Sequence, residues 1–292
     1  MNPGVEHVRP SPIAGQWYPG DAHRLAALVD RYINEARLPA LDGEVVAVVA
    51  PHAGHQFSGP VAGHAFAAVR GRPVETVVII APLHQPVSPA PLVTTAHQAY
   101  WTPLGAVPVD QAAVQELDGY LKQAAGIGLA AIANDREHSL EIELPFLQRA
   151  LPGPFTLVPV MMREQDQPVA RALGAALARL LQEGQALRGK RALLVASSDL
   201  SHFFPQKVAQ ALDQEMLRQV AAFDPAGVIR VEQEGRAFAC GHGAVAAVLW
   251  AAQQLGARQA QVVNYATSGD VTGRTDEVVG YAAAVVTRPG SE

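Results

Sequence analysis

The sequence predicts an α/β protein in which a central, largely buried sheet is flanked by helices. Three observations carry that prediction. Short apolar runs rich in β-branched residues alternate with longer stretches of helical period, and several of those stretches open on residues suited to capping. No charge block, low-complexity tract, flexible linker or internal repeat divides the chain, so residues 1–292 are read as one domain. The runs at 45–50, 77–80, 156–160, 192–196, 261–264 and 278–286 are continuous rather than alternating, as expected of strands buried on both faces. Between them, 21–36, 61–69, 111–124, 168–182, 206–222 and 243–255 read as helices, with Asp, Ser, Pro or Gly at several starts. Residues 82–108, rich in Pro and polar side chains, are expected to form an irregular excursion beside the functional site.

Composition narrows the function classes. Apolar residues make up 49% of the chain and charged residues 17%, enough for a large core and unlike a disordered segment. A net charge of −5 with no Lys/Arg cluster argues against nucleic acid or an anionic membrane as the main partner. The single cysteine, Cys240, rules out an intrachain disulfide and fits a reducing compartment, so a cytoplasmic location is expected. The N-terminus lacks an apolar signal core and the apolar runs fall short of the ~20 residues that span a bilayer, so neither export nor membrane insertion is expected.

Three apolar runs end alike, in a few small or turn-forming residues and then a histidine. VVAVVA leads to Pro51-His52-Ala53-Gly54-His55, VVIIAPL to His84, and ALLVASS to Asp199-Leu200-Ser201-His202. Ligands of open α/β sheets bind beyond the carboxyl ends of the strands, so these loops are expected to converge. Histidine is both the commonest metal ligand and the commonest general base, which gives that convergence a chemical meaning. His7, His23, His64 and His97 have no such placement and read as structural or solvated.

Asp199 stands three residues before His202, close enough in a turn to orient or charge the imidazole; the competing reading is that Ser198 and Asp199 cap the helix beginning near Pro205. The polar cluster from Asn134 to Glu141 precedes an apolar stretch. Ser139 is a candidate helix cap there, and Glu137 and His138 either line the pocket or serve the cap. Cys240 directly precedes a helix, whose N-terminus favours a thiolate suited to a metal or to nucleophilic attack; the alternative is a small buried hydrophobe. His242 is a weaker candidate for the same site. Motifs for dinucleotide, P-loop, zincin and α/β-hydrolase chemistry are all missing from the sequence.

In this order, APHAGHQFSG, APLHQ, DREHSLEIELPFL, SSDLSH and CGHGA resemble the Memo family, whose bacterial and archaeal members are named AmmeMemoRadiSam system protein B. The likeness runs from Arg9-Pro10 and AGQWYP to the terminal GYAAAVV. It implies a fold similar to the class III extradiol dioxygenases of the LigB type, with a pocket at one edge of the sheet. It also implies a metal held by His52, His84 and Cys240, with Asp199 and His202 beside it and His202 as the acid–base group. Where the dioxygenases place a glutamate, a cysteine softens the site, favouring Fe(II) or copper over redox-inert Mg²⁺. The chain departs from the family pattern at Gln85, which replaces a second histidine, and at His55, which replaces an aromatic and is able to compensate for that loss.

Three functions are therefore expected to compete: a metal-dependent oxidoreductase acting on a small molecule, a copper- or iron-handling redox-control protein without turnover, and a peptide- or protein-binding module using the old pocket. The site residues in play are His202, Asp199, His138 and Glu137 for catalysis and His52, His84 and Cys240 for metal. The family name implies radical-SAM and AMMECR-type partner proteins.

Overall fold

A computed structural model describes residues 7–133 and 135–290. Its elements run β1 (Val8–Arg9), α1 (Ala22–Glu35), β2 (Glu44–Ala50), α2 (His55–Ala67), β3 (Thr76–Pro82), β4 (Leu92–Thr95), β5 (Ala99–Thr102), β6 (Gly105–Pro108), α3 (Gln111–Ala125) and β7 (Leu129–Ile132). A 3₁₀ turn (Glu141–Glu143) leads into α4 (Leu144–Ala150), followed by β8 (Thr156–Met162), α5 (Gln167–Glu183), β9 (Ala192–Ser197), β10 (His202–Phe204) and α6 (Gln206–Ala221). The chain closes with α7 (Pro225–Gln233), α8 (His242–Gln254), β11 (Gln259–Thr267), α9 (Ser268–Thr272) and β12 (Val278–Arg288).

The expected α/β architecture is present. Strands β2, β9, β3 and β8 lie side by side and parallel, and their side chains are almost entirely buried because helices cover the sheet. β4 and β7 extend one side and the antiparallel β12, which also pairs β11 and β10, extends the other. Four helices start as Asp caps dictate, with Asp21, Asp110, Asp166 and Asp224 each accepting a backbone N–H three residues on. No helix among the described residues is long and apolar enough to cross a membrane.

Two expectations change. Residues 82–108 hold three short strands, and β5 and β6 form a hairpin that pairs β1 in a separate small sheet. Their four-residue lengths, broken by Pro and Gly, hide the alternation that longer strands display. Helix α2 begins at His55, six residues before the predicted start, and carries Pro60 within it. Its first turn is fixed from outside, by the His55 N–H donating to Trp17 O at 2.8 Å and by Ser58 Oγ donating to Ala53 O at 2.8 Å.

β9 is inserted between β2 and β3, although β2, α2 and β3 are consecutive in the chain. The carboxyl ends of these strands thus form a crossover crevice, the place where such sheets bind ligands. Helix α2, which leaves that crevice, packs tightly on α1 through glycines. A Cβ at Gly63 would stand 2.5 Å from Tyr32 O and 2.7 Å from its carbonyl carbon, both backbone atoms that cannot swing away. Gly63→Ala is expected to cost about 1–3 kcal/mol, read as a lower urea midpoint with an unchanged m value. An unaltered midpoint would mean that α1 and α2 slide apart freely.

Candidate metal centre

Each strand end delivers one part of the site. His52 follows β2, His84 follows β3 and Asp199 follows β9. The segment 135–143 then folds over the end of β3, where Ser139 Oγ donates to Pro82 O at 2.7 Å and brings His138 into the crevice. Among the described residues, His52, His84 and His138 each bring one ring nitrogen within 4.8 Å of the others. Their rings are 5.3 Å (His52 to His84), 5.6 Å (His52 to His138) and 4.8 Å (His84 to His138) apart, the last pair stacked.

In all three rings Nδ1 faces an oxygen. For His52 it is Ser197 Oγ at 2.9 Å, and for His84 and His138 it is Glu137 Oε1, at 2.9 and 3.3 Å. This leaves Nε2 of each ring to a ligand, the arrangement in which an outer partner fixes the tautomer of a metal-binding histidine. Burial pushes His52 well below the usual histidine range, with the neighbouring His84 and His138 rings disfavouring a further proton. Burial likewise lowers His138 to about 4, against the pull of Glu137. Neutral imidazoles are the form that binds a metal.

Glu137 is buried yet ionised. Burial opposes its charge, but the bond to His84, the potential of that ring and the Ser139 N–H hold it far below the usual carboxylate range. Its oxygens accept four hydrogen bonds besides the His138 contact, from His84 N at 2.6 Å, His84 Nδ1 at 2.9 Å, His138 N at 2.9 Å and Ser139 N at 3.0 Å. Its own backbone carbonyl accepts from the Arg9 guanidinium at 2.7 Å. Asn134, the first residue of the predicted polar cluster, lies outside the described residues.

A cavity of about 700 Å³ opens onto the cluster, lined by His52, His84, His138, Asp199 and His202 together with Trp17, Phe57, Phe203, Arg274 and Tyr281. The structure thus gathers six of the seven predicted site residues around this cavity, Glu137 sitting behind its wall. Cys240 lies to one side. Its Sγ is 3.1 Å from His52 Nε2, but it lines an adjoining groove with Glu232, Phe238 and His242, which shares His202 with the cavity. His242 is turned the same way, its Nδ1–H donating to Ala239 O at 3.0 Å.

Several local readings give way to tertiary partners. Asp199 does not orient His202: its carboxylate accepts the His52 N–H at 2.7 Å, while His202 Nδ1 donates to Leu200 O at 2.8 Å. Nor do Ser198 and Asp199 cap α6, whose start at Pro205 has no side-chain cap. Ser139 caps no helix either, its hydroxyl being spent on Pro82 O. At Cys240 the pull of the helix N-terminus toward a thiolate is opposed by burial, which, with Asp199 adding to it, pushes the thiol well up in the metal-free protein. Burial also raises Asp199 to about 7 against the His52 and Ala53 N–H groups. The sequence reading missed Ser197, Glu143, Arg9 and Trp17, whose ring centre lies 4.1 Å from that of His138. For Arg9 and Trp17 the signal was present in the N-terminal motif; for Ser197 and Glu143 there was none beyond a polar residue in an apolar run.

His55 does not replace the histidine missing at Gln85. It is buried against Tyr18 and Phe146, with Nε2–H donating to Ile142 O at 3.1 Å and Nδ1 unpartnered. Gln85 instead accepts the Arg136 N–H through Oε1 at 3.3 Å.

The fold and the cluster define a class: an α/β protein with a trihistidine pocket, a candidate metal centre, at the carboxyl ends of its parallel strands. The family follows from comparison. Residues 9–285 match the family described as Memo-like protein. The chain is 38% identical over 288 residues to a MEMO1 family protein of Methanopyrus kandleri, covering 94% of this chain and 98% of that one. It is 34% identical to a MEMO1 family protein of Nitrosopumilus maritimus (94% and 98% covered) and 35% to one of Methanosarcina mazei (96% and 99%). The chain belongs to the Memo family.

The burial of His55 carries a pH consequence. Burial lowers its folded-state value to about 4, while the unfolded chain titrates at about 6.5, so between those limits the unfolded state binds more protons and stability falls as pH drops. His55→Phe is expected to remove about 2–3 kcal/mol of that acid loss, read as a flatter dependence of the urea midpoint between pH 6.5 and 4 than wild type shows. A parallel pair of curves would place the ring in contact with solvent.

Proposed function

We propose that the protein is a redox-metal protein in which His52, His84 and His138 hold Fe(II) or copper and a small molecule enters the 700 Å³ cavity to react there. The observation that carries this reading is the anchoring of all three Nδ1 atoms, which leaves three Nε2 lone pairs in one crevice. Three imidazoles suit iron, copper and zinc better than magnesium or calcium. When bound, iron or copper would supply one-electron chemistry that no side chain offers.

The chain's own residues would do the rest. His202 Nδ1 carries its hydrogen toward Leu200 O, so Nε2 is bare and able to take a proton from a molecule in the cavity. Trp17 and Phe57 wall the cavity and limit water around the rings. A second reading, metal handling without turnover, draws support from the Cys240 thiol 3.1 Å from His52 Nε2, a soft donor suited to Cu(I). The placement of His138 rather than Cys240 in the cluster favours the first.

Anaerobic Fe(II) and Cu(I) titration with elemental analysis tests both. Wild type is expected to bind one metal; His52→Ala and His138→Ala should abolish it, and Glu137→Gln should weaken it about 10- to 100-fold. Cys240→Ser is expected to leave Fe(II) binding within a few-fold on the oxidoreductase reading and to collapse Cu(I) binding on the handling reading. Wild-type protein that binds neither metal ends both.

A further inference from the structure

We infer that Glu143 is a neutral carboxylic acid that, through Ser197, fixes the His52 ring with its hydrogen on Nδ1 and a bare Nε2. The argument is a proton count. Ser197 Oγ lies 2.6 Å from Ser139 O, 2.8 Å from Glu143 Oε1 and 2.9 Å from His52 Nδ1. A hydroxyl has one hydrogen to give and two lone pairs to fill. The Ser139 carbonyl accepts only, so the hydroxyl hydrogen goes there. The other two neighbours are then obliged to donate: Glu143 as O–H and His52 as Nδ1–H. Any other assignment leaves two lone pairs facing each other in a buried site, at the cost of an unmade hydrogen bond.

Two further observations agree. Glu143 Oε2 has no hydrogen-bond partner although the residue is fully buried, tolerable for the carbonyl oxygen of an acid and costly for a carboxylate. Burial, with Asp199 adding to it, pushes the carboxyl well above its usual range against the Ser197 bond. Glu143 is thus a positioning residue acting through Ser197. It does for His52 what the ionised Glu137 does for His84 and His138, but without adding a negative charge. The tautomer belongs to the metal-free protein; only its use in ligation rests on the proposed metal reading.

The test is histidine-selective ¹⁵N NMR and infrared difference spectroscopy on metal-free protein at pH 8, with His52 assigned by its loss in His52→Ala. Wild type should show His52 protonated at Nδ1 only, and a protonated-carboxyl C=O band that disappears in Glu143→Gln. Glu143→Gln, whose amide still donates to Ser197, should keep the tautomer; Ser197→Ala and Glu143→Met should mix it and lower metal affinity about 10-fold or more. A His52 ring protonated at Nε2, or a Glu143 carboxylate band, overturns the inference, and both are read on wild type even if Glu143→Met fails to fold. If the tautomer is as stated but no metal binds, the inference stands and the proposed function falls; metal binding with the other tautomer does the reverse.

Discussion

The buried carboxylate of Glu137 is the interaction on which the rest of the site depends. A charge taken out of water is tolerated only when nearly every lone pair is matched, and here the matching groups are the site itself: His84 by backbone and ring, and the His138 and Ser139 amides. Two of the three clustered rings are therefore oriented by one ion. Its own placement comes from Arg9, which binds the Glu137 carbonyl, both oxygens of Asp135 and Glu141 while almost completely buried. Arg9 is carried by β1, in register with Tyr100 of β5, over whose ring the guanidinium lies at 4.9 Å. The small sheet in the Pro-rich excursion thus has a purpose the excursion's composition conceals: it delivers the cation that lets an anion be buried under the trihistidine cluster.

The same logic explains which groups near the crevice are not ionised. Glu137 has N–H donors and positive neighbours, so its charge survives burial. For Cys240 and Glu143 burial outweighs the few hydrogen bonds they receive, and with Asp199 adding to it raises both. His52, His55 and His138 lack enough compensation and are held neutral. One buried carboxylate therefore stands behind the His84 and His138 rings, while His52 is anchored by an uncharged hydroxyl.

Much of this was legible in the sequence where the signal was local. The apolar runs ending at His52, His84 and Asp199 named the strand ends correctly, because a strand buried on both faces cannot disguise its composition. His138 was visible only as part of a polar cluster. What brings its ring beside those of His52 and His84 is a bond from Ser139 to the end of β3 and a salt bridge to Arg9, more than a hundred residues from Glu141, and neither leaves a local trace. Local rules failed where a distant partner competed. Asp199 sits at the right spacing for His202 but is claimed by the His52 amide, and the thiolate-favouring helix end at Cys240 is opposed by burial. The family resemblance supplied Cys240 as a ligand, and the geometry puts its sulfur beside His52 Nε2 without bringing it into the group of three.

That adjacency ties the two readings of the centre together. In the metal-free protein the raised thiol has two acceptors within reach, Asp199 O at 3.6 Å and, closer at 3.1 Å, His52 Nε2, the atom that the Ser197 contact leaves bare. On the proposed reading, a metal taken up at His52 Nε2 would have to displace the thiol from that nitrogen. A hard or borderline ion that prefers imidazole gains nothing by keeping the sulfur and would leave it turned toward the groove of Glu232 and His242. A soft ion would retain it and draw off its proton. On the proposed reading, with the three rings anchored through Nδ1 and the sulfur held by the Asp199 N–H, the metal's softness would decide whether the centre has three protein ligands and an open position or a fourth that closes it, and an open position is what substrate chemistry requires.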